Sequence, residues 1–451
     1  MDKKPTQILG QLSNLARIFL LSFTLASCSS ISNLVSLHNN LVEMEQTLSV
    51  VAGRVIDPTD KALQGNIIVV LLKGEASLTS EENLLSYKVL RNADESFVFV
   101  REELDTRLIA FKDVNGDFRY QPDEPIHVME TPPILSPNSL DESQWRMNTL
   151  LLSNNSAAAS EVSIDVTSET VKSKLKYLQN VGRVTDFSNP NFSTSTVEMG
   201  LWSPLAFAKQ VGYGFYLLEP WQEDKDVLLL IHGINDSPRS FRDLLPQLNL
   251  SQYQPVFFHY PSGLDLETSA TVLSEIMSEF NLRMPNKKVR IVAHSMGGLI
   301  ARRYVQLQQD LGVGSETIEH LLTISTPWGG HKAAEMGVKR SPVVAPVWRD
   351  MVPSSDFISG LHNRPLPAGL QFSLLFSYSG QKMLQTEAGD GRVTLESQLD
   401  YRAQDVADHL HGLNEGHVSI LSSERTAAYI NQYLLSKGVS PYSRYICCTL
   451  D

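Results

Sequence analysis

One short run limits what this chain can fold into more than any other, the segment VRIVAHSMGG at residues 289–298. Its β-branched apolar half leads into Ser295, and apolar residues at helical spacing follow. Ala293 and Gly297 lie two positions to either side of this serine. A sharp strand-to-helix turn that exposes a nucleophile needs small residues there, and alanine is a tolerated variant of the usual first glycine. The pattern predicts a nucleophile elbow, with an ordinary turn around a buried serine as the alternative.

Two downstream segments complete the set of side chains that would activate this serine. In the fold that uses such an elbow, the acid and then the histidine follow the nucleophile along the chain. Asp390 lies between glycines after the last clearly apolar strand, and His417 precedes a final helix. We therefore predict that His417 takes the proton of Ser295 and that Asp390 holds the imidazole. Rivals remain in the same region: His409 and His411 for the base, and Asp400, Asp405 and Asp408 for the acid.

The oxyanion of such a reaction needs two backbone N–H donors. The residue after the nucleophile, Met296, supplies one of them in this type of turn. The second is expected from Ile234, in the loop after the apolar run 227–231, where Gly233 lets the backbone turn inward. His232 is expected to pack in this loop without a catalytic role. The chemistry requires neither a metal ion nor an organic cofactor, and we expect none.

From residue 211 onward, near-continuous apolar strands alternate with amphipathic helices. That alternation is typical of a mostly parallel sheet covered by helices on both faces. We assign residues 211–438 to this α/β domain and residues 439–451 to a C-terminal tail. The stretch 332–367 is too long for a simple crossover, and it carries apolar residues among prolines. We interpret it as a cap over the site, with a purely structural excursion as the alternative.

The chain before this domain has a different pattern. Residues 47–130 contain short apolar alternations separated by turns, which predict a small β-sandwich. Residues 131–210 mix Pro, Ser and Asn, and we interpret them as a connector. The oxygen-bearing side chains of residues 113–124 have EF-hand-like spacing, but Phe118 stands where that loop needs glycine. We interpret this segment as an acidic turn between strands, with a calcium site as the alternative.

Residues 1–28 have the form of a bacterial leader. Lysines precede an apolar stretch that is too short to span a bilayer. The end of this segment, LASC at residues 25–28, resembles a lipobox, which implies lipid attachment at Cys28. Ser29 follows the cysteine, a pattern that resembles lipoproteins sent to the outer membrane, where the protein would face the periplasm. A plain secretory signal is the alternative. Residues 29–46 are then expected to be a polar tether.

Length and charge limit the remaining possibilities. A chain of 451 residues is too long for one ordinary core, which favours two domains behind the leader. Its formal net charge of −12 and the lack of a clustered Lys/Arg run argue against nucleic acid as a partner. The expected partners are therefore a small substrate and, through the anchor, a membrane.

Several motifs together resemble those of α/β-hydrolases of the bacterial lipase and esterase type. They are HG at 232–233, AHSMGG at 293–298, STPWGG at 325–330, GDG at 389–391 and GHV at 416–418. These motifs are also similar to those of the group that contains GPI-inositol deacylases and lecithin-cholesterol acyltransferases. The run YPSG at 260–263 further resembles proteobacterial lipoprotein hydrolases. The resemblance covers residues 211–435.

This resemblance implies an α/β-hydrolase fold and a membrane-anchored serine hydrolase that cleaves carboxylic esters through an acyl-enzyme. Acyl lipids or other hydrophobic esters are the expected substrates. An acyltransferase with the same triad is one alternative, because an alcohol can replace water in the second step. A non-catalytic binding module of the cell envelope that has kept the fold is another.

Overall fold

The computed structural model describes residues 32–58, 66–74, 81–90, 96–102, 105–134, 149–153, 162–168, 170–171, 179–284, 288–311, 317–379, 388–435 and 446–447. The predicted leader with Cys28 lies outside the described residues, as does the tail 439–451 apart from residues 446–447. A β domain and an α/β domain follow one another along the chain.

The N-terminal domain is built from short strands. In the described part they are β1 Ser49–Ile56, β2 Asn66–Lys73, β3 Leu84–Leu90, β4 Ser96–Arg101, β5 Thr106–Asp113, β6 Ile126–Met129 and β7 Thr149–Leu151. They form a three-stranded sheet, β4-β1-β7, and a four-stranded sheet, β3-β2-β5-β6. Val51 and Val55 of β1 share a core with Ile67 and Val69 of β2. The two sheets therefore pack face to face through alternate side chains.

The second face of the four-stranded sheet is also covered. Ile68 and Val70 of β2 pack with Val162, Ile164 and Val166. In addition, β7 pairs in parallel with β1. The domain boundary expected at residue 130 is therefore too early, and the connector expected over 131–210 is wrong for these segments. The polar composition of the region hid three apolar residues spaced two apart, which is enough to cover a sheet face.

The second domain is organised around one large sheet. Its described strands are β8 Val181–Val184, β9 Gly214–Leu217, β10 Asp226–Ile231, β11 Tyr253–His259, β12 Val289–His294, β13 Ile318–Ile324, β14 Gln371–Tyr378, β15 His409–Asn414 and β16 Ile446–Cys447. Within the described residues the sheet is nine-stranded, in the order β16-β15-β14-β13-β12-β10-β11-β9-β8. Neighbours pair in parallel except β11 with β9. The predicted mostly parallel sheet is confirmed, although it begins before residue 211.

Helices cover this sheet on both faces. The described ones are α1 at residues 32–47, α2 Thr194–Trp202, α3 Pro204–Gln210, α4 Leu266–Arg283, α5 Met296–Leu311, α6 Lys332–Arg340, α7 Pro346–Asp350, α8 Asp356–His362, α9 Leu395–Gln398, α10 Tyr401–Asp405 and α11 Glu424–Tyr429. Leu229 and Ile231 of β10 pack against α4 and α5. Leu228 and Leu230 pack on the opposite face with Ile430. None of the helices in the described ranges is both long and apolar enough to cross a bilayer.

Residues 32–47 form helix α1 rather than the polar tether expected over residues 29–46. The overlooked signal is a stripe of Leu34, Leu37, Leu41 and Met44, spaced three or four residues apart. Leu37 is fully buried, and it belongs to the core of the α/β domain. The tether prediction is wrong for these residues, because the apolar stripe gives the segment a helical face that packs.

Three short helices, α6 to α8, occupy the stretch 332–367 between β13 and β14. Ile358 and Leu361 are buried in the core of the domain. Arg302 of α5 donates from Nε to the carbonyl oxygen of Leu361 at 3.2 Å and from Nη2 to that of Arg364 at 2.5 Å. The end of α8 is therefore attached to α5. That the segment acts as a cap stays a prediction.

Candidate active site

Strand β12 and helix α5 meet at Ser295. This residue has a φ of 55°, in the left-handed region that residues other than glycine rarely adopt. Its backbone N–H donates to the carbonyl oxygen of Ile324 on the neighbouring strand at 2.8 Å. A Cβ on Gly297 would lie 2.5 Å from the carbonyl oxygen of His232, so only glycine fits there. The turn is therefore as sharp and as crowded as a nucleophilic serine at a strand end requires.

The structure brings the three predicted side chains together. Nε2 of His417 lies 2.9 Å from Oγ of Ser295, and its Nδ1 lies 2.7 Å from Oδ2 of Asp390. The backbone N–H of His417 also donates to the carbonyl oxygen of Asp390 at 3.0 Å, which ties the two loops to each other. All three residues are buried, so these contacts form where water screens them little.

The carboxylate of Asp390 is held in its ionised form. Its Oδ1 accepts the backbone N–H groups of Arg392 at 3.0 Å and Val393 at 2.8 Å. Burial by itself raises the pKa of Asp390, but the hydrogen bond and charge of His417 and these two N–H donors outweigh it and hold the pKa below its ordinary value. Asp390 therefore accepts hydrogen bonds only, and the proton at Nδ1 stays on the imidazole.

Gln398 and Ser377 also hold this carboxylate, and neither residue can be recognised from the sequence. The Nε2 group of Gln398 donates to Oδ2 of Asp390 at 3.2 Å, and Oγ of Ser377 donates to the same oxygen at 2.8 Å. The amide of Gln398 further accepts the backbone N–H of Ser377 and donates to its carbonyl oxygen, at 2.9 and 3.0 Å. No local pattern marks either residue, because the contacts join a strand end to a separate short helix.

The rival residues lie elsewhere in the fold. His409 and His411 are on β15, with their rings packed against tyrosine rings. Asp400 precedes α10 and accepts its first backbone donors, and Asp405 ends that helix. Asp408 accepts a backbone N–H at the start of β14. His409, His411 and Asp408 lie at the beginning of β15, whereas Ser295 follows the end of β12 in the same parallel sheet, and the carboxylate of Asp400 is bonded to Arg402. The structure does not bring these residues to the site.

The two expected oxyanion donors flank the nucleophile. Met296 is the first residue of α5, a position whose N–H has no partner within the helix. A Cβ on Gly233 would lie 2.9 Å from Cβ of Ser295, so the loop that carries Ile234 passes directly beside the nucleophile. Nδ1 of His232 donates to the carbonyl oxygen of Gly233 at 2.9 Å. Because the C=O and N–H of a trans peptide point in opposite directions, the N–H of Ile234 points away from that ring.

Buried histidines support the loops around the site. Nε2 of His294 donates to the carbonyl oxygen of His417 at 2.8 Å, and Nε2 of His259 donates to that of Asn191 at 2.8 Å. Burial lowers the pKa of His294 to about 3 and that of His259 to about 4, so both rings are neutral. The sequence analysis expected His232 only to pack. In the structure it also orients the peptide of the oxyanion loop.

Among the residues that the structure describes, no cluster of three or more His, Cys, Asp or Glu side chains is arranged to hold a metal ion. In the acidic turn, Asp113 accepts the backbone N–H of Gly116 at 2.8 Å, and Glu124 accepts that of Val114 at 2.7 Å. These carboxylates are engaged by the backbone of their own loop. The segment joins β5 to β6 as an acidic turn, and its lack of a calcium site stays a prediction.

The mostly parallel sheet, the left-handed serine at its strand-to-helix turn and the contacts among Ser295, His417 and Asp390 define the class of this protein. It has the α/β-hydrolase fold, and it is a serine hydrolase.

Residues 265–342 match the family model described as the PGAP1-like alpha/beta domain. The chain is similar to the mature form of Bacillus licheniformis lipase BlEst2, with 16% identity, a TM-score of 0.40, and coverage of 48% of this chain and 96% of that chain. It is similar to the product of gene lin2722 from Listeria innocua, with 16% identity, a TM-score of 0.37 and coverage of 48% and 96%. Aspergillus fumigatus lipase B is similar at 15% identity, a TM-score of 0.37 and coverage of 50% and 57%. No curated protein sequence matches this chain.

Proposed function

We propose that this protein hydrolyses carboxylic esters with Ser295 as the nucleophile. The observation that carries the proposal is the 2.9 Å contact between Nε2 of His417 and Oγ of a serine held at a φ of 55°. His417 takes the hydroxyl proton as Oγ bonds to the carbonyl carbon of the ester. The carbonyl oxygen becomes an oxyanion, which the backbone N–H groups of Met296 and Ile234 stabilise.

Three further proton transfers complete the reaction, and all of them pass through His417. His417 gives its proton to the departing alkoxide, so that the alcohol leaves and an acyl-enzyme remains on Ser295. A water molecule then gives a proton to His417 as its oxygen attacks the acyl carbon. The proton returns to Oγ, and the carboxylic acid leaves. Asp390 stays ionised throughout and stabilises the imidazolium at each stage.

The nucleophile is tested with a fluorophosphonate probe and p-nitrophenyl butyrate. Ser295→Ala is expected to abolish labelling and to lower hydrolysis to what the oxyanion donors alone provide. Ser419→Ala is the matched control, because this exposed serine lies two residues from His417 and bonds only within its own turn. The control is expected to keep its labelling. Undiminished labelling of Ser295→Ala would remove Ser295 from its role.

We propose hydrophobic esters, acyl lipids above all, as the substrates, and the segment 332–367 as the cap that selects them. Its support is the resemblance of the motifs to lipases and the apolar content of the segment, in which Trp348 and Val343 are only partly buried. Replacement of 332–367 by a short loop is expected to change the preference among p-nitrophenyl esters of increasing chain length. An unchanged profile in a folded variant would exclude the cap role.

We further propose that the protein is anchored by lipid at Cys28, in the outer membrane and facing the periplasm. The support is the sequence alone, the apolar leader that ends in LASC at residues 25–28. Cys28→Ser is expected to block lipoprotein processing, whereas the wild-type protein should partition with membranes. Mass spectrometry of the mature N-terminus is the direct measurement, and any first residue other than a lipid-modified Cys28 contradicts the proposal.

A further inference from the structure

Helix α1 is firmly attached to the rest of the molecule. Oγ of Ser36 lies 2.5 Å from Oγ of Ser203, and Oδ1 of Asn40 accepts the backbone N–H of Leu205 at 3.0 Å. Asn40 is buried at this contact, as is Leu37 one turn before it. A helix held by buried apolar and hydrogen-bonded side chains does not pivot on its support. Its first turn therefore has a fixed place on the α/β domain.

The distance from this first turn to the proposed anchor is short. Only residues 29–31 separate Cys28 from Ser32, the first residue of α1. Four Cα-to-Cα steps span at most about 14 Å in any conformation, and the helical turn to Ser36 adds about 6 Å. A lipid on Cys28 therefore lies within about 20 Å of Ser36. The expected long tether would have allowed the domain to turn freely, and this spacing does not.

Packing contacts connect the support of α1 to the segment proposed as a cap. Trp202, beside Ser203, packs edge to face on Trp348 of α7, with ring centroids 5.9 Å apart. A Cβ on Gly337 of α6 would lie 3.0 Å from the Trp348 ring, so α6 packs directly on that indole. Contacts thus run without a break from the first turn of α1 to α6. Packing therefore links α6 to the helix that follows the proposed anchor in the chain.

The outer face of α6 suits a bilayer surface. Met336 is 53% exposed, which is unusual for a large apolar side chain, while Ala334 on the opposite face is buried. The helix, KAAEMGVKR, carries three basic side chains and one acidic one, in a chain whose net charge is −12. All three basic side chains are exposed, with Lys339 paired to Glu335 at 2.5 Å and Lys332 paired to Glu396 at 3.2 Å, and Lys339 and Arg340 lie in the last turn after Met336. Amphipathic helices with exposed apolar and basic residues bind the headgroup region of anionic membranes.

We propose that α1 seats the α/β domain on the leaflet that holds Cys28, with the outer face of α6 lying on the anionic lipid surface. The proposal rests on the lipid attachment proposed above. It adds an orientation: the segment proposed as the cap faces the bilayer, from which a hydrophobic ester would reach it directly. Helix α1 then serves as a rigid connection between the lipid on Cys28 and the α/β domain.

The orientation is tested with the full lipidated protein in vesicles of phosphatidylethanolamine and phosphatidylglycerol that contain a nitroxide-headgroup lipid. An environment-sensitive fluorophore is attached to Met336→Cys in a Cys447→Ser/Cys448→Ser background. Val406→Cys is the matched control, because Val406 is an apolar side chain outside α6 that is 41% exposed. Quenching is expected to be several-fold stronger for the label on Met336→Cys. Equal or absent quenching at the two positions overturns the proposal.

A second variant tests this rigid connection. Insertion of twenty Gly and Ser residues between Ser30 and Ile31 keeps the anchor and α1 but separates them by a flexible chain. Quenching at Met336→Cys is then expected to fall to the level of the Val406→Cys control, and unchanged quenching would deny α1 its role. Neither readout needs hydrolysis, so an inactive Ser295 would not affect them. Mass spectrometry of the reconstituted protein separates a missing lipid at Cys28 from a wrong orientation, and a missing lipid overturns both proposals.

Discussion

Two loops of this molecule, one in each domain, bind an aspartate carboxylate with the same arrangement of backbone N–H donors. Oδ1 of Asp113 accepts the backbone N–H of Gly116 at 2.8 Å, and Oδ1 of Asp390 accepts that of Val393 at 2.8 Å. In both cases the donor is three residues further along the chain, and both carboxylates are buried. Side chains of this type often close turns in this way. Local sequence is therefore sufficient to form this hydrogen-bonded turn.

The two loops differ in what the second carboxylate oxygen, Oδ2, contacts. Oδ2 of Asp113 accepts the backbone N–H of Phe118 at 3.2 Å, so its loop is closed on itself. Oδ2 of Asp390 faces Nδ1 of His417 at 2.7 Å, a residue 27 positions away. The comparison teaches that the turn buries a carboxylate against backbone N–H donors and that a distant partner makes it part of a catalytic site. The following predictions test this difference.

The largest expected effect is on turnover. Asp390→Asn is expected to lower kcat for ester hydrolysis by about 10⁴, because an amide favours the wrong imidazole tautomer and does not stabilise the imidazolium. Asp113→Asn makes the equivalent change in the other loop, and it should leave kcat near the wild-type value. Circular dichroism checks that both variants are folded. Near-normal turnover of Asp390→Asn would return the role to Asp400, Asp405 or Asp408.

A smaller loss is expected from Gln398→Leu. This change removes one hydrogen-bond donor to Asp390 and the two hydrogen bonds from the Gln398 amide to the backbone of Ser377. Hydrogen bonds to a charged group contribute about 1.5–3 kcal/mol, so kcat should fall about 10- to 100-fold. KM should stay constant, because Gln398 positions Asp390 and is fully buried. Gln404→Leu, which removes a glutamine bonded only to the backbone of its own segment, is the control. A change in KM with constant kcat would contradict a positioning role.

Asp113→Asn should lower the stability of the β domain, although it leaves turnover unchanged. Asp113→Asn replaces an acceptor oxygen by an amide donor that faces the N–H of Phe118. Leaving a buried donor unsatisfied costs about 1–3 kcal/mol, so the free energy of unfolding should fall by that amount. Urea denaturation followed by circular dichroism measures it, with the exposed Asp123→Asn as control. Equal unfolding free energies of the two variants would show that the hydrogen bonds of the Asp113 carboxylate do not contribute to stability.

The smallest effect concerns pH. Burial raises the pKa of Glu124, which shares the loop of Asp113, above its ordinary value of 4.5, whereas the pKa of Asp390 is lowered below 3.8. A carboxyl with a raised pKa binds its proton more tightly in the folded state, so folding gains stability as pH falls through that range. The wild type should therefore gain stability over Glu124→Gln between pH 7 and pH 5.

Asp390 should show no such change in the same interval. A carboxylate with a lowered pKa contributes stability above its unfolded value, and the contribution is lost only as pH falls through the folded value. The difference in unfolding free energy between wild type and Asp390→Asn should therefore be constant from pH 7 to pH 5. A slope in that interval, or a flat response of Glu124→Gln, would contradict the assigned charge states.

Much of the α/β domain could be predicted, because its signals are local and strong. The strand before Ser295 is continuously apolar and the helix after it is amphipathic, so the elbow is visible in ten residues. Helix α1 shows the opposite case, since its four apolar residues stand in a polar segment and have a helical face only if a partner surface exists. Strand β8 cannot be predicted for a related reason, because four residues at the edge of a sheet are too few to show an alternation of apolar and polar side chains.

The sequence by itself determined the order of Ser295, Asp390 and His417, the glycine and alanine that a sharp turn needs, and the alternation of strands and helices. These follow from backbone sterics and from side-chain periodicity, which act over a few residues. Only the tertiary structure decided that Gln398 and Ser377 would meet Asp390, that His232 would orient the peptide before Ile234, and that α1 would pack on the enzyme. Such contacts join segments far apart in the chain, and their geometry is set by the packing of the whole sheet.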